Sequence, residues 1–207
     1  MSKTLTRREI MLQGALYGGT LWLLGSVPRP LAASAAGEST APAVLSATEW
    51  HTVEAITGRI IPTDHEPGAI EANCVNFIDK ALLHEDAELE PTYHAGVRGI
   101  DAVSNHRFGK VFAELDGGDQ DAVLTTIAAA MPAAGWPEGE IIQQDFFETV
   151  REHTVIGFLA DPKYGGNRDY IGWKVIGYPG PRHMRGGYTP EQMVGKQKIK
   201  AIWDGEI

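Results

Sequence analysis

The sequence predicts an all-α protein: an irregular bundle of about five helices followed by an extended C-terminal segment rich in glycine and aromatic residues. Three observations carry this expectation. Between residues 46 and 159, apolar residues recur at helical spacing in successive short stretches separated by Gly and Pro, as in helices that each bury one stripe. No alternating run is long enough to make a convincing strand. Past Asp161 the helical pattern stops and glycines interleave with tyrosines and a tryptophan.

Residues 1–36 are set apart from the fold. Thr6-Arg7-Arg8-Glu9-Ile10-Met11 matches a twin-arginine export signal. Residues 10–27 are apolar but diluted by Gly14, Gly18, Gly19 and Gly25. That suits export better than arrest in a bilayer, which takes ~18 or more consecutive apolar residues. Ala33-Ser34-Ala35 offers an A-x-A site, so cleavage after Ala35 is expected; an uncleaved N-terminal anchor is the alternative. No second apolar run follows, so no membrane span is expected in the mature chain. Its destination is the periplasm. Residues 37–45 are small and polar and read as a linker, 46–160 as a helical domain, and 161–207 as a tail that wraps a partner.

The first helix starts at Ser46, whose hydroxyl can cap the first turn while Glu49 reaches back, a capping box. Trp50, Val53, Ile56, Thr57, Ile60 and Ile61 follow at helical spacing, and Pro62 ends the run. A turn-rich connector, residues 61–69, leads to a second helix from Ala69 or Glu71 to Leu83, with Cys74, Phe77, Ile78, Ala81 and Leu82 inward. The third spans 91–105, where Pro91 suits a first turn. Phe108, Val111, Phe112 and Leu115 make a short apolar stripe. Gly117-Gly118 breaks it, and Asp119 is expected to cap a helix over Val123, Leu124, Ile127 and Met131. After a loop over 132–137, the last helix spans 138–159, with Ile142, Phe146, Val150, Val155 and Phe158 inward.

Charge is unevenly placed. Residues 37–160 hold 21 Asp and Glu against 6 Lys and Arg, whereas residues 161–207 hold 8 Lys and Arg against 5 Asp and Glu. An acidic body disfavours nucleic acid and anionic membrane surfaces as partners. The single cysteine, Cys74, excludes an internal disulfide, CxxC redox pairs and CxxCH haem attachment. It reads as a small buried hydrophobe, with an intersubunit bridge or a reactive thiol as alternatives.

Chemistry-bearing motifs are scarce. The seven histidines, at 51, 65, 84, 94, 106, 153 and 183, form no HExxH motif. GxSxG, GxGxxG and Walker sequences are absent as well. No metal or cofactor is expected in this chain, and no catalytic residue is assigned. Two other readings stay open: a small metal-dependent or acid–base enzyme centred on Asp64, His65 and His153, and a stand-alone periplasmic binding module. A twin-arginine signal on a chain without a cofactor site fits a complex whose cofactor lies in another subunit.

The C-terminal segment carries the strongest pattern. Tyr164, Tyr170, Trp173, Tyr178 and Tyr188 are set among Gly165, Gly166, Gly172, Gly177, Gly180, Gly186 and Gly187. Glycine admits close backbone approach, and Tyr and Trp bury large area with a polar handle. This is interface chemistry, with wrapping back over the chain's own bundle as the alternative or companion. Tyr164, Gly165, Gly166, Asn167, Trp173, Tyr178, Pro179 and Gly180 are the candidate partner-binding residues.

Phe146-Phe147, Arg151, His153, Gly157-Phe158, Asp161-Pro162, Tyr164-Gly165-Gly166-Asn167, Gly172-Trp173 and Ile176-Gly177-Tyr178-Pro179-Gly180 resemble the signature of the gluconate 2-dehydrogenase subunit 3 family. Upstream, Ile61-Pro62-Thr63-Asp64, Gly68-Ala69 and Phe77-Ile78-Asp79 resemble its first block. The resemblance implies the non-catalytic small subunit of a membrane-associated, flavin-dependent sugar or sugar-acid dehydrogenase. It implies a GMC-type partner subunit that carries FAD and the catalytic residues, and in many members a multihaem cytochrome c subunit. The small subunit would aid maturation and carry the export signal, here Arg7 and Arg8. Association with the inner membrane would come through the complex.

Overall fold

A computed structural model describes residues 42–129, 131–139, 141–181, 188–199 and 201. Arg7, Arg8 and Ala35 lie outside the described residues. The protein is all-α, with seven α-helices and no strand among the described residues. They are α1 (Ala47–Ile60), α2 (Cys74–Leu83), α3 (Glu90–Phe108), α4 (Gly117–Ala128), α5 (Gln143–Leu159), α6 (Ile171–Ile176) and α7 (Pro190–Met193). No helix among the described residues is long and apolar enough to cross a membrane.

The bundle is organised around α5, which packs against α1, α2, α3, α4 and α6. Phe146, Val150 and Phe158 of α5 are fully enclosed, together with Val53 and Ile56 of α1, Ile78 of α2, Tyr93 and Ile100 of α3, and Val123 and Ile127 of α4. Burying each such side chain contributes ~1.5–3 kcal/mol, which is why short helices persist here when they would fray alone. Small residues set the close approaches. A side chain at Gly96 of α3 would collide with the Phe146 ring, and one at Gly99 would come within 2.7 Å of Trp136.

The helix starts are partly as expected. Ser46 caps α1 in a complete capping box, its hydroxyl accepting from the Glu49 amide while Glu49 accepts from the Ser46 amide at 2.8 Å. Pro91 lies in the first turn of α3, which runs on to Phe108 before Gly109 turns left-handed at φ 71°. Three expectations are corrected. The second helix begins at Cys74, because residues 69–73 form turns that end at Asn73 with φ 60°. The cap of α4 is Asp116, whose side chain accepts from the Asp119 amide at 3.0 Å, and Gly117-Gly118 form the first turn of that helix. The last long helix begins at Gln143, and Ile142 is 64% exposed, as is Met131 at 75%. Val155 is only half-buried.

The α4–α5 connection is built by a side chain the sequence pattern does not reveal. Gln143 is buried; its amide nitrogen donates to Met131 O (2.8 Å) and Ala129 O (3.1 Å), and its oxygen accepts from Ala133 N (2.6 Å). Trp136 Nε1 donates to Ile141 O at 2.8 Å and closes the loop. These bonds satisfy backbone groups of the loop that no helix pairs.

Candidate functional site

The glycine-aromatic segment is mounted on the bundle by its own chemistry. After α5, a 3-10 turn over Pro162–Tyr164 and another over Arg168–Tyr170 lead into α6, so residues 162–176 are coiled into short turns where an extended run is expected. Asn167 is fully buried and bridges two elements: its Nδ2 donates to Ala160 O at 2.8 Å and its Oδ1 accepts from Gly172 N at 2.8 Å. Trp173 is 5% exposed and donates from Nε1 to Leu159 O at 2.7 Å, meeting the C-terminal end of α5. Tyr170 stacks on its indole (5.3 Å between centroids) and Tyr178 meets it edge-on at 5.1 Å.

Two glycines explain the closeness. An added Cβ at Gly166 would fall on the carbonyl oxygen of Gly157, and one at Gly172 on that of Phe158. Gly157 in turn lies flat under the Phe77 ring, where a Cβ would come within 2.9 Å. The segment also lies along one face of α2. Arg168 N donates to Ala72 O (3.1 Å), Asn76 Nδ2 donates to Gly165 O (2.8 Å), and Lys80 packs beside Gly165. Asn76 and Lys80 lie one turn apart on the same side of α2, and Ala72 belongs to the turns that lead into it. Asn167, Asp169 and Tyr170 all have positive φ, at 46°, 55° and 59°. Such left-handed conformations cost a bulky residue ~1–2 kcal/mol and persist where the surroundings over-determine them.

Of the expected partner-binding residues, Gly165, Gly166, Asn167, Trp173 and Gly180 are therefore buried within this chain. Tyr178 and Pro179 are half-buried. Tyr164 is 45% exposed, with the Lys163 Nζ 4.5 Å over its ring. The outward rim of the segment comprises Lys163, Tyr164, Arg168 and Asp169, with Lys80 of α2 beside it.

The acid–base residues fall apart from one another. Asp64 and His65 sit on an exposed turn, with His65 Nδ1 3.2 Å from Asp64 Oδ1. His153 lies inside the bundle, where its Nδ1 is 2.9 Å from Tyr93 Oη and its Nε2 3.5 Å from Asp86 Oδ2. Burial lowers the His153 pKa against the opposing pull of Glu152, and the same enclosure raises Tyr93 well above its ordinary value. In the neutral imidazole, Nδ1 accepts from the tyrosine hydroxyl and Nε2–H faces Asp86. Asp86 is held above the ordinary range by burial and by Glu88, Glu85 and Glu152. Tyr93 is fully enclosed and His153 is 6% exposed, so these groups brace α3 against α5 and offer no face to a substrate. Among the described residues, no three His, Cys, Asp or Glu side chains converge as metal ligands do. The concavity at the α4–α5 loop, lined by Pro132, Trp136 and Ile142, contains none of the expected site residues.

Besides Gln143, sequence reasoning missed a second buried polar group of consequence. Asp79 is 3% exposed, and its carboxylate accepts from Ala43 N (2.7 Å), Val44 N (3.0 Å) and Leu45 N (2.9 Å). The expected linker over 37–45 is thus fastened at its C-terminal end. An acidic residue on the inward stripe of a helix, between Ile78 and Ala81, was the available signal.

The family model described as gluconate 2-dehydrogenase subunit 3 matches residues 47–180, from the first residue of α1 to four residues beyond α6. No curated protein and no solved structure matches the chain.

Proposed function

Because the chain belongs to the gluconate 2-dehydrogenase subunit 3 family, we propose that it is the non-catalytic small subunit of a periplasmic, flavin-dependent dehydrogenase complex and the export escort of its catalytic partner. The observation that carries this reading is the family match over the bundle and the signature segment together, joined to the Arg7-Arg8 signal in the same chain. In this reading FAD and the reacting groups belong to a GMC-type subunit. A multihaem cytochrome c subunit takes the electrons onward, and membrane association comes through the complex. The buried half of the signature segment is its internal mount, and the outward rim around Tyr164, Lys163 and Arg168 faces the catalytic subunit. An aromatic ring flanked by cations fits an interface hot spot better than the acidic remainder of the surface does.

Replacing Arg7-Arg8 by Lys-Lys in cells that make both subunits tests the escort role. Both chains are then expected in the cytoplasmic fraction. Continued export of the catalytic subunit contradicts the escort role.

A further inference from the structure

The buried Asp79 carboxylate has a use that the complex alone does not explain. It takes hydrogen bonds from three successive backbone amides, those of Ala43, Val44 and Leu45, at 2.7–3.0 Å. Hydrogen bonds to a carboxylate are the strong kind, and three of them offset much of the cost of burying its charge. The chain is then held twice more within four residues. Leu45 is buried in the core, and Ser46 and Glu49 close the capping box, with Glu49 Oε1 2.6 Å from His94 Nδ1 of α3. Asp79 and its amides are 34 to 36 residues apart in sequence. They meet only when α2 is docked beside α1 and α5, a packing that exists only in the folded bundle.

We propose that Asp79 is a fold-dependent clamp on the linker that follows the export segment, capturing residues 43–45 only in the folded body and so fixing where the tether to the processing site at Ala35 begins. This rests on reading residues 1–36 as an export signal. Seven residues lie between Ala35 and Ala43, eight steps along the chain with a reach of at most ~29 Å when extended. In an unfolded or half-folded body the amides are released, and the distance from Ala35 to the body is no longer bounded by that reach. The clamp therefore couples a property of the body, its folding, to the presentation of the signal, which the twin-arginine route requires of a cargo that crosses already folded.

The test uses the full chain made with its partner subunit. Asp79→Asn keeps the shape but turns an N–H group toward backbone donors. Ile127→Ala removes core packing in α4, where Ile127 is fully enclosed, and leaves Asp79 and residues 43–45 in place. For Asp79→Asn, amide exchange at residues 43–45 is expected to accelerate at least about tenfold while the α5 amides stay protected. Its exported, processed fraction is expected to fall several-fold, whereas Ile127→Ala, with a comparable loss of melting temperature, is exported as the unaltered chain is. Asp79→Asn exported normally, or Ile127→Ala impaired equally, overturns the clamp. If instead the Lys-Lys variant of Arg7-Arg8 is exported normally, the reading of the signal itself has failed and the clamp falls with it.

Discussion

At the scale of single residues, two histidines sit in opposite electrostatic settings. His94 lies between Glu49 (2.6 Å) and Glu90 (3.4 Å), and those carboxylates raise its pKa above the ordinary 6.5 against a smaller effect of burial. Burial alone would raise Glu49, but its bonds from Ser46 and His94 prevail and hold it below its ordinary value. His153 is lowered by enclosure among Phe77, Tyr93 and Asp86, with Glu152 opposing. By linkage, the stability from His94 is fully present below the ordinary histidine pKa and is lost as pH rises through its raised folded value. The stability from neutral His153 is present above the ordinary value and is lost as pH falls toward its lowered folded value. Thermal melts from about pH 8 to about pH 5 separate the two. On acidification His153→Gln is expected to lose less melting temperature than the unaltered chain, and His94→Gln to lose more. Parallel curves for all three contradict these assignments. Cys74 belongs to the same scale. Its thiol is enclosed and pushed far up by burial, so the packing role expected from its apolar neighbours is the one the structure gives it, on the inward stripe of α2.

At the scale of elements, legibility followed from how local the cause was. The capping box of α1 is written in Ser46 and Glu49, and the turn at Pro91 in one residue, so both were readable. The inward stripes of α2 and α5 were also readable at Phe77, Ile78, Phe146, Val150 and Phe158. The start of α5 was not, because Gln143 binds backbone groups spread from residue 129 to residue 133 and so decides the boundary from across the loop. For the signature segment, composition identified glycines that permit close approach but not which backbone approaches. The structure supplies α5: Gly166 and Gly172 meet the carbonyls of Gly157 and Phe158. Gly166→Ala is therefore expected to lift the segment and expose Trp173, lowering stability in urea by ~2 kcal/mol or more through overpacking. Gly177→Ala has open space around it but φ +70°, and is expected to cost ~1–2 kcal/mol from backbone strain while leaving Trp173 covered. Equal and small losses for the two, with no change in tryptophan emission, contradict the mount described here.

At the scale of the whole molecule, the polar side chains with the most unusual surroundings are bound to the chain itself. Asn167 joins α5 to α6, His153 and Tyr93 brace the bundle, and Asp79 holds its entry. The family is named for a subunit of a gluconate 2-dehydrogenase, and what this chain leaves outward is an acidic body with a rim of Lys163, Tyr164 and Arg168. Subunit membership, legible in the Asp161-to-Gly180 signature, agrees with the family match over residues 47–180. The acid–base alternative fails on geometry, since Asp64 and His65 sit on an exposed turn while His153 is enclosed with other partners. The central claim is that this chain works as the small subunit of a flavin-dependent complex. Its most direct test is to co-express the tagged chain with its genomic neighbours, purify it, and record mass and absorption spectrum. The account predicts a larger yellow flavoprotein in stoichiometric amount, retained when Lys110, exposed just past the end of α3, is changed to Glu and lost when Tyr164 is changed to Ala with Lys163 and Arg168 changed to Glu. A colourless chain, stable and alone after that co-expression, would contradict it.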